Sequence, residues 1–195
     1  MNRIFSKPFI LAVISVICYT FVYTQPMWNF KFKAPQYPMG LELDIFMTGA
    51  KGDVAEIDII NHYIGMQKLE DAAKNEKAMA PFVLMGLSVL SLAHGLFPRR
   101  KVLHIFSLAM LGFPLAFVTI FQLWLYKFGH DLNPAAPVRL TPFTPVILGE
   151  GIIGQFTTYA VPGNGFYLSC FAALCVIISV FISRKNEAVA VKETF

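Results

Sequence analysis

The block Asn61-His62-Tyr63-Ile64-Gly65-Met66 holds the residues whose types and spacing come nearest to a binding site. His62 and Met66 are four apart, so on a helix both side chains would fall on one face and could reach the same ion. Imidazole combined with thioether is copper chemistry, because a soft Met sulfur favours Cu(I) and His accepts either oxidation state. Met39, Met47, Met27 and His130 are further donors that could complete a ligand set. The competing reading gives His62 a hydrogen bond at a loop-to-helix junction and leaves Met66 to pack.

His94 and His104 form a second pair, flanking the hairpin at Pro98. Two histidines at the inner ends of apolar helices suggest axial ligands to a b-type haem. A tight hairpin brings such helices to about 8–10 Å, which leaves little room for a macrocycle, so haem is disfavoured. The apolar runs contain no Asp or Glu to pass a proton onward, which also disfavours a pump or transporter. No nucleophile constellation, phosphate loop, CxxC or HExxH motif is present, and no catalytic or cofactor-binding residue is assigned. Cys18, Cys170 and Cys175 all fall in apolar runs, so the polar loops have no disulfide framework.

These residues must be positioned by four long apolar runs, Pro8 to Tyr23, Ala78 to Phe97, Val102 to Tyr126 and Phe166 to Ser183. With a little flanking extension, each can cross the roughly 30 Å hydrocarbon core as a helix. Hydrophobic residues make up 56% of the 195-residue chain and the mean hydropathy is +0.58, values that exclude an ordinary soluble domain. Basic clusters at Arg3/Lys7, Arg99-Arg100-Lys101 and Arg184-Lys185 edge the runs. Placing all three in the cytoplasm puts both termini inside and both polar loops outside. The net charge of +4 is then an orientation signal, and nucleic acid is excluded as a partner. The resulting segments are a signal-anchor span at 1–24, a first outer loop at 25–77, a helical hairpin at 78–126, a second outer loop at 127–165, and a last span with its tail at 166–195. Retention of the first span is favoured because Tyr23-Thr24-Gln25-Pro26-Met27 carries no small-x-small cleavage pattern. Trp28 and Trp124 fall at outward span ends, where indole suits the headgroup zone.

In the first loop, Leu41, Leu43, Ile45 and Met47 alternate with Glu42, Asp44, Phe46 and Thr48, which predicts a strand with one covered face. Ala50 to Asp53 reads as a turn and Val54 to Ile60 as a second strand, a hairpin that needs support because a lone two-stranded ribbon is marginal. A short amphipathic helix is expected from Asn61 as its cap, with Gly65 weakening its middle. Val146 to Val161 is rejected as a fifth span, since it holds Glu150 and is bracketed by prolines. It is expected to pack on, or dip into, the bundle, and the two loops are expected to pack together. The fold class expected is an all-α membrane protein with four transmembrane helices and a small extracytoplasmic β-hairpin/helix insertion between the first and second spans.

The Asn61–Met66 block, together with Gly40-Leu41-Glu42-Leu43 and Gly52-Asp53-Val54-Ala55-Glu56-Ile57, resembles a group of small bacterial membrane proteins that accompany nitrous oxide reductase in some gene clusters. The resemblance implies a bacterial inner-membrane location and an accessory role in maturing, or supplying electrons to, a periplasmic copper enzyme. It carries over no catalytic residues. The function expected is a non-enzymatic accessory subunit whose outer loops dock a periplasmic metalloprotein, with copper handled through His62 and Met66. The alternatives are a purely structural subunit of a larger membrane complex and a haem-binding redox protein.

Overall fold

The computed structural model describes residues 6–98 and 101–192; Arg3, Arg99 and Arg100, which enter the orientation argument, lie outside the described residues. In chain order the elements are α1 (Lys7–Thr24), β1 (Trp28–Ala34), β2 (Tyr37–Phe46), β3 (Gly49–Gly52), α2 (Val54–Ile64), α3 (Lys74–Leu96), α4 (Lys101–His130), β4 (Gly149–Ile153), β5 (Phe156–Pro162) and α5 (Asn164–Lys192). Four of the described helices, α1, α3, α4 and α5, are long and apolar enough to cross a membrane. The protein is a multi-pass membrane protein with a β-hairpin/helix insertion between its first two spans.

The chain divides into two compact units. The helical unit comprises Met1–Tyr23, Pro81–Ala116 and Tyr167–Phe195. Lipid tails supply no hydrophobic drive between helices, so contact there depends on close approach and interhelical hydrogen bonds. Ser15 and Ser91 illustrate both. The Ser15 hydroxyl lies 3.0 Å from the Leu11 carbonyl of its own helix and 3.2 Å from the Ala172 carbonyl of α5. That of Ser91 donates to the Ala12 carbonyl of α1 at 3.3 Å. Beside Ser91, Gly95 sits so close to α1 that a Cβ there would lie 2.6 Å from the Ala12 Cβ. Phe82, Leu115 and Phe181 are exposed, as side chains facing hydrocarbon should be.

The sheet unit comprises Thr24–Ala80 and Phe117–Phe166. Its five antiparallel strands run in the order β3-β2-β1-β5-β4, so a strand of the first loop pairs directly with one of the second. Phe30 of the central β1 is opposite Leu43 on one side and Ala160 on the other. Period-two alternation sends Trp28, Phe30, Leu41, Leu43 and Ala160 to one face, where with Ile57 of α2 they form the core. Phe117, Phe121 and Leu125 of α4 pack against it. Trp28 is the centre of this face, with Phe166, Phe121 and Phe117 rings at 5.4, 5.7 and 6.4 Å. Its Nε1 donates to the Ile147 carbonyl at 2.6 Å. The indole is therefore a buried core residue and not the headgroup anchor expected from its position in the sequence.

Three further expectations are corrected. The second strand of the first loop is Gly49–Gly52, whereas Val54 to Ile60 is helical. Val54, Ile57 and Ile60 share the three-residue spacing of a helix face and pack on the core, and this outweighs the strand preference of their branched side chains. Gly52, at φ +100°, turns the chain into α2, and a Cβ there would come 2.3 Å from the Glu42 carbonyl oxygen. Asn61 is buried inside α2 and Gly65 is its C-cap, so neither has the role in a later helix that was expected. Val146 to Val161 is the β4–β5 hairpin that completes the sheet and not a helical dip, although Val146 and Ile147 do pack on the core beside Phe121 of α4 as expected. The expectation that the two loops pack together holds. Ile147 lies against the core, while Ile152 points away from it and is 77% exposed.

Candidate functional site

The Asn61–Met66 block forms the end of α2. Gly65 adopts the left-handed conformation at φ +82°, its N–H directed at the Asn61 and His62 carbonyls, and the Met66 N–H donates to Asn61 at 2.8 Å. This is the double bond of a Schellman C-cap, which satisfies carbonyls that a helix end leaves open. Two further carbonyls of the block accept from the second loop. Tyr63 accepts from the Val138 N–H at 3.0 Å and Gly65 from the Asn133 N–H at 2.8 Å. A Cβ on Gly65 would meet the Asn133 oxygen at 2.8 Å and the Ala136 Cβ at 2.9 Å. Close by in sequence, Gln67 Nε2 donates to the Asp131 carboxylate at 2.8 Å, and the Leu69 N–H donates to Asp58 at 2.8 Å. The block thus latches the two loops together through its backbone, a role that needs a helix end, a glycine and little from the imidazole.

The metal candidates are dispersed among different elements. His62 is exposed in the last turn of α2, but Met66 lies beyond the cap, so the shared helical face that would have paired them is not formed. Met39 is 86% exposed on β2 and Met47 is half-buried in the β2–β3 turn. Met27 is fully buried next to β1. His130, at the end of α4, has Nδ1 2.9 Å from the Tyr126 carbonyl and its ring stacked on Tyr126 at 3.9 Å. Among the described residues, no three His, Cys, Asp or Glu side chains converge in a way that could hold a metal ion.

The sheet face opposite the core has a graded chemistry that sequence reading missed. Strand register places Glu42, Lys31, Tyr159 and Glu150 in one cross-strand row, and Lys33, Thr157 and Ile152 in another. On the β1–β2 side it is charged and internally paired. Lys31 meets Glu42 at 2.9 Å, and Asn29 donates to Asp44. Towards β4 it becomes apolar, with Tyr159, Val161 and Ile152 exposed and Leu148 exposed just before the strand. β4 is the last strand of the order, so its outer edge has no neighbour in the sheet. The β-branched and aromatic residues Phe156, Thr157, Thr158, Tyr159 and Val161 are the signal that could have revealed β5.

Within the helical unit, His94 of α3 and His104 of α4 bring their ring centroids to 5.3 Å with planes 66° apart. His94 is 2% exposed, and among the described residues no nitrogen of either ring has a hydrogen-bond partner.

Fold and surface together define a small multi-pass membrane protein carrying a mixed charged and apolar sheet face. Comparison with known proteins finds no family model and no curated sequence that matches this chain.

Proposed function

We propose that the protein is a non-enzymatic membrane accessory subunit whose sheet unit, on the extracytoplasmic side, docks a protein partner. The supporting observation is the exposed apolar strip of Ile152, Val161 and Leu148 beside the open edge of β4. A strand edge with apolar neighbours invites pairing with another chain, and proteins normally blunt such an edge with charge, proline or a bulge; on β4 the single charge is Glu150. A backbone ladder added along β4, with side-chain pockets beside it, is a common mode of recognition.

The finer reading is that the partner is a periplasmic copper enzyme of the nitrous oxide reductase type, and that the protein serves its maturation or electron supply. This reading is supported by the resemblance carried by Gly40–Leu43, Gly52–Ile57 and Asn61–Met66, all of which fall in the sheet unit. Copper handling by His62 with Met66, Met39, Met47 or His130 is a separate part of the proposal, and with the helical pairing lost it depends on a partner bringing further ligands.

The test uses the full-length protein in detergent and purified nitrous oxide reductase in a sedimentation or surface-binding assay. Saturable binding that weakens at least tenfold on Ile152→Glu, with Ile59→Glu on the exposed side of α2 as a surface control that leaves it unchanged, is the expected outcome. Absence of binding, or binding indifferent to Ile152, would contradict the proposal.

A further inference from the structure

We propose that His94 and His104 form a two-imidazole site for a single borderline transition-metal cation, copper or zinc, inside the helical unit. The site does not rest on the docking proposal or on His62 and Met66.

The starting point is an imbalance of hydrogen bonding. A neutral imidazole has one N–H donor and one lone-pair acceptor, and groups of this kind are normally paired when buried. Here four ring nitrogens are inaccessible, and all four lack a partner among the described residues. The other buried polar groups nearby in sequence are differently placed, since Ser91 bonds to Ala12 of α1 and Ser107 to the His104 carbonyl at 2.6 Å. The backbone next to His94 is closely packed. The adjacent Gly95 is pressed against α1, where a Cβ would lie 3.1 Å from the Phe9 Cα and 3.3 Å from the Pro8 carbonyl oxygen.

A centroid separation of 5.3 Å is short enough for one ion to span both rings; a direct N–H···N bond would have a similar spacing of about 5.2 Å but is not formed here. Metal–nitrogen bonds are about 2.0–2.1 Å, which puts the ion about 3.2 Å from each ring centre when it is bound through one nitrogen per ring. The observed centroid separation of 5.3 Å then corresponds to an angle at the ion of about 110–115°, close to tetrahedral. Two axial imidazoles on opposite sides of a haem iron would need centroids about 6 Å apart with a macrocycle between them. A water bridging the rings through ordinary hydrogen bonds of about 2.8 Å would need either a similarly wider separation or a strongly bent geometry. Neutral imidazole is a good ligand for copper and zinc, and binding through one lone pair per ring satisfies two of the four nitrogens and leaves the other two as N–H donors.

No third His, Cys, Asp or Glu joins the pair among the described residues. Two protein ligands leave at least two positions of a tetrahedral ion open, the arrangement of an exchanging site and not of a structural one.

The chain has four histidines, so replacing the exposed His62 and His130 with alanine leaves only this pair. The experiment adds Cu(II) to that full-length double variant in detergent and reads the electron paramagnetic resonance spectrum, with Zn(II) as competitor. One copper per chain, showing superhyperfine coupling to two imidazole nitrogens and displaced by zinc, is the expected result. Introducing His104→Gln should remove one coupling and weaken binding at least tenfold while the helical circular dichroism is retained. Copper that shows no imidazole coupling in the double variant, or no retained copper, would overturn the proposal, and this reading needs no substitution inside the site.

Discussion

The sheet unit and the helical unit solve the same problem, covering backbone and side-chain polar groups, in two ways. In the sheet unit the ladders of five strands do most of the pairing, leaving large side chains to fill the core. Trp28, Phe30 and Phe121 interlock there, and even the indole N–H has a carbonyl acceptor. In the helical unit each helix pairs its own backbone. The interhelical seams rest on small groups, Ser15, Ser91, Gly95 and Ala172, and the ring nitrogens of His94 and His104 remain without partners among the described residues. Burial of bulk therefore drives one unit and closeness of approach the other, and mutations should separate them.

The largest effect is expected from Trp28→Ala. Losing a fully packed indole from a core typically costs about 3–5 kcal/mol. Amide hydrogen exchange on the full-length protein in detergent should show protection lost in β1, β2 and β5 together while α5 remains protected. Equal loss in α5 would show that the two units do not differ as described.

A pair of glycine substitutions sharpens the other half of the comparison. Gly95→Ala should destabilise by about 1–3 kcal/mol, because its Cβ meets Ala12 and the backbone of α1. Gly86, one of the exposed positions of α3, has nothing within 4 Å of a built Cβ. Gly86→Ala should be neutral or stabilise by up to about 1 kcal/mol through helix propensity. Denaturation in mixed micelles would check the contrast, which fails if both substitutions have the same effect.

These two regions also differed in how much of them was legible in the sequence. The spans were legible because a long apolar run has few soluble alternatives, and β2 because Leu41, Leu43 and Ile45 alternate cleanly with polar neighbours. The α2 helix was obscured by the Ile59-Ile60 pair, whose branching favours a strand locally although Val54, Ile57 and Ile60 share one helix face. β4 was hidden by Gly149, Gly151 and Gly154, which look like irregular turns. The pairing of β1 with β5 joins segments near opposite ends of the chain, and no local pattern specifies Asn29 opposite Val161. The Asn61–Met66 block was conspicuous for its His and Met, yet its traced interactions are chiefly those of the backbone. Carbonyls carry no residue identity, so the latch could not be read from side-chain types.

The smallest effects should come from single polar contacts. Ser91→Ala removes one interhelical hydrogen bond at a cost of about 0.6 kcal/mol, the usual size in a membrane bundle. Lys31→Ala breaks a largely exposed ion pair with Glu42 on the sheet and should cost under about 1 kcal/mol, less at high salt. A larger loss at Lys31 than at Gly95 in the same micelle titration would invert the proposed order.

Everything proposed for the sheet unit depends on the two loops forming one sheet, which requires Lys51 of β3 and Glu150 of β4 to lie on the same side of the membrane. The most direct test is labelling of Lys51→Cys and Glu150→Cys, one at a time, with a membrane-impermeant thiol reagent in intact cells after Cys18, Cys170 and Cys175 have been replaced by serine or alanine. Both positions are exposed, and both should label from outside without permeabilisation. Labelling of one from outside and of the other only after permeabilisation would place the loops on opposite sides and contradict the account.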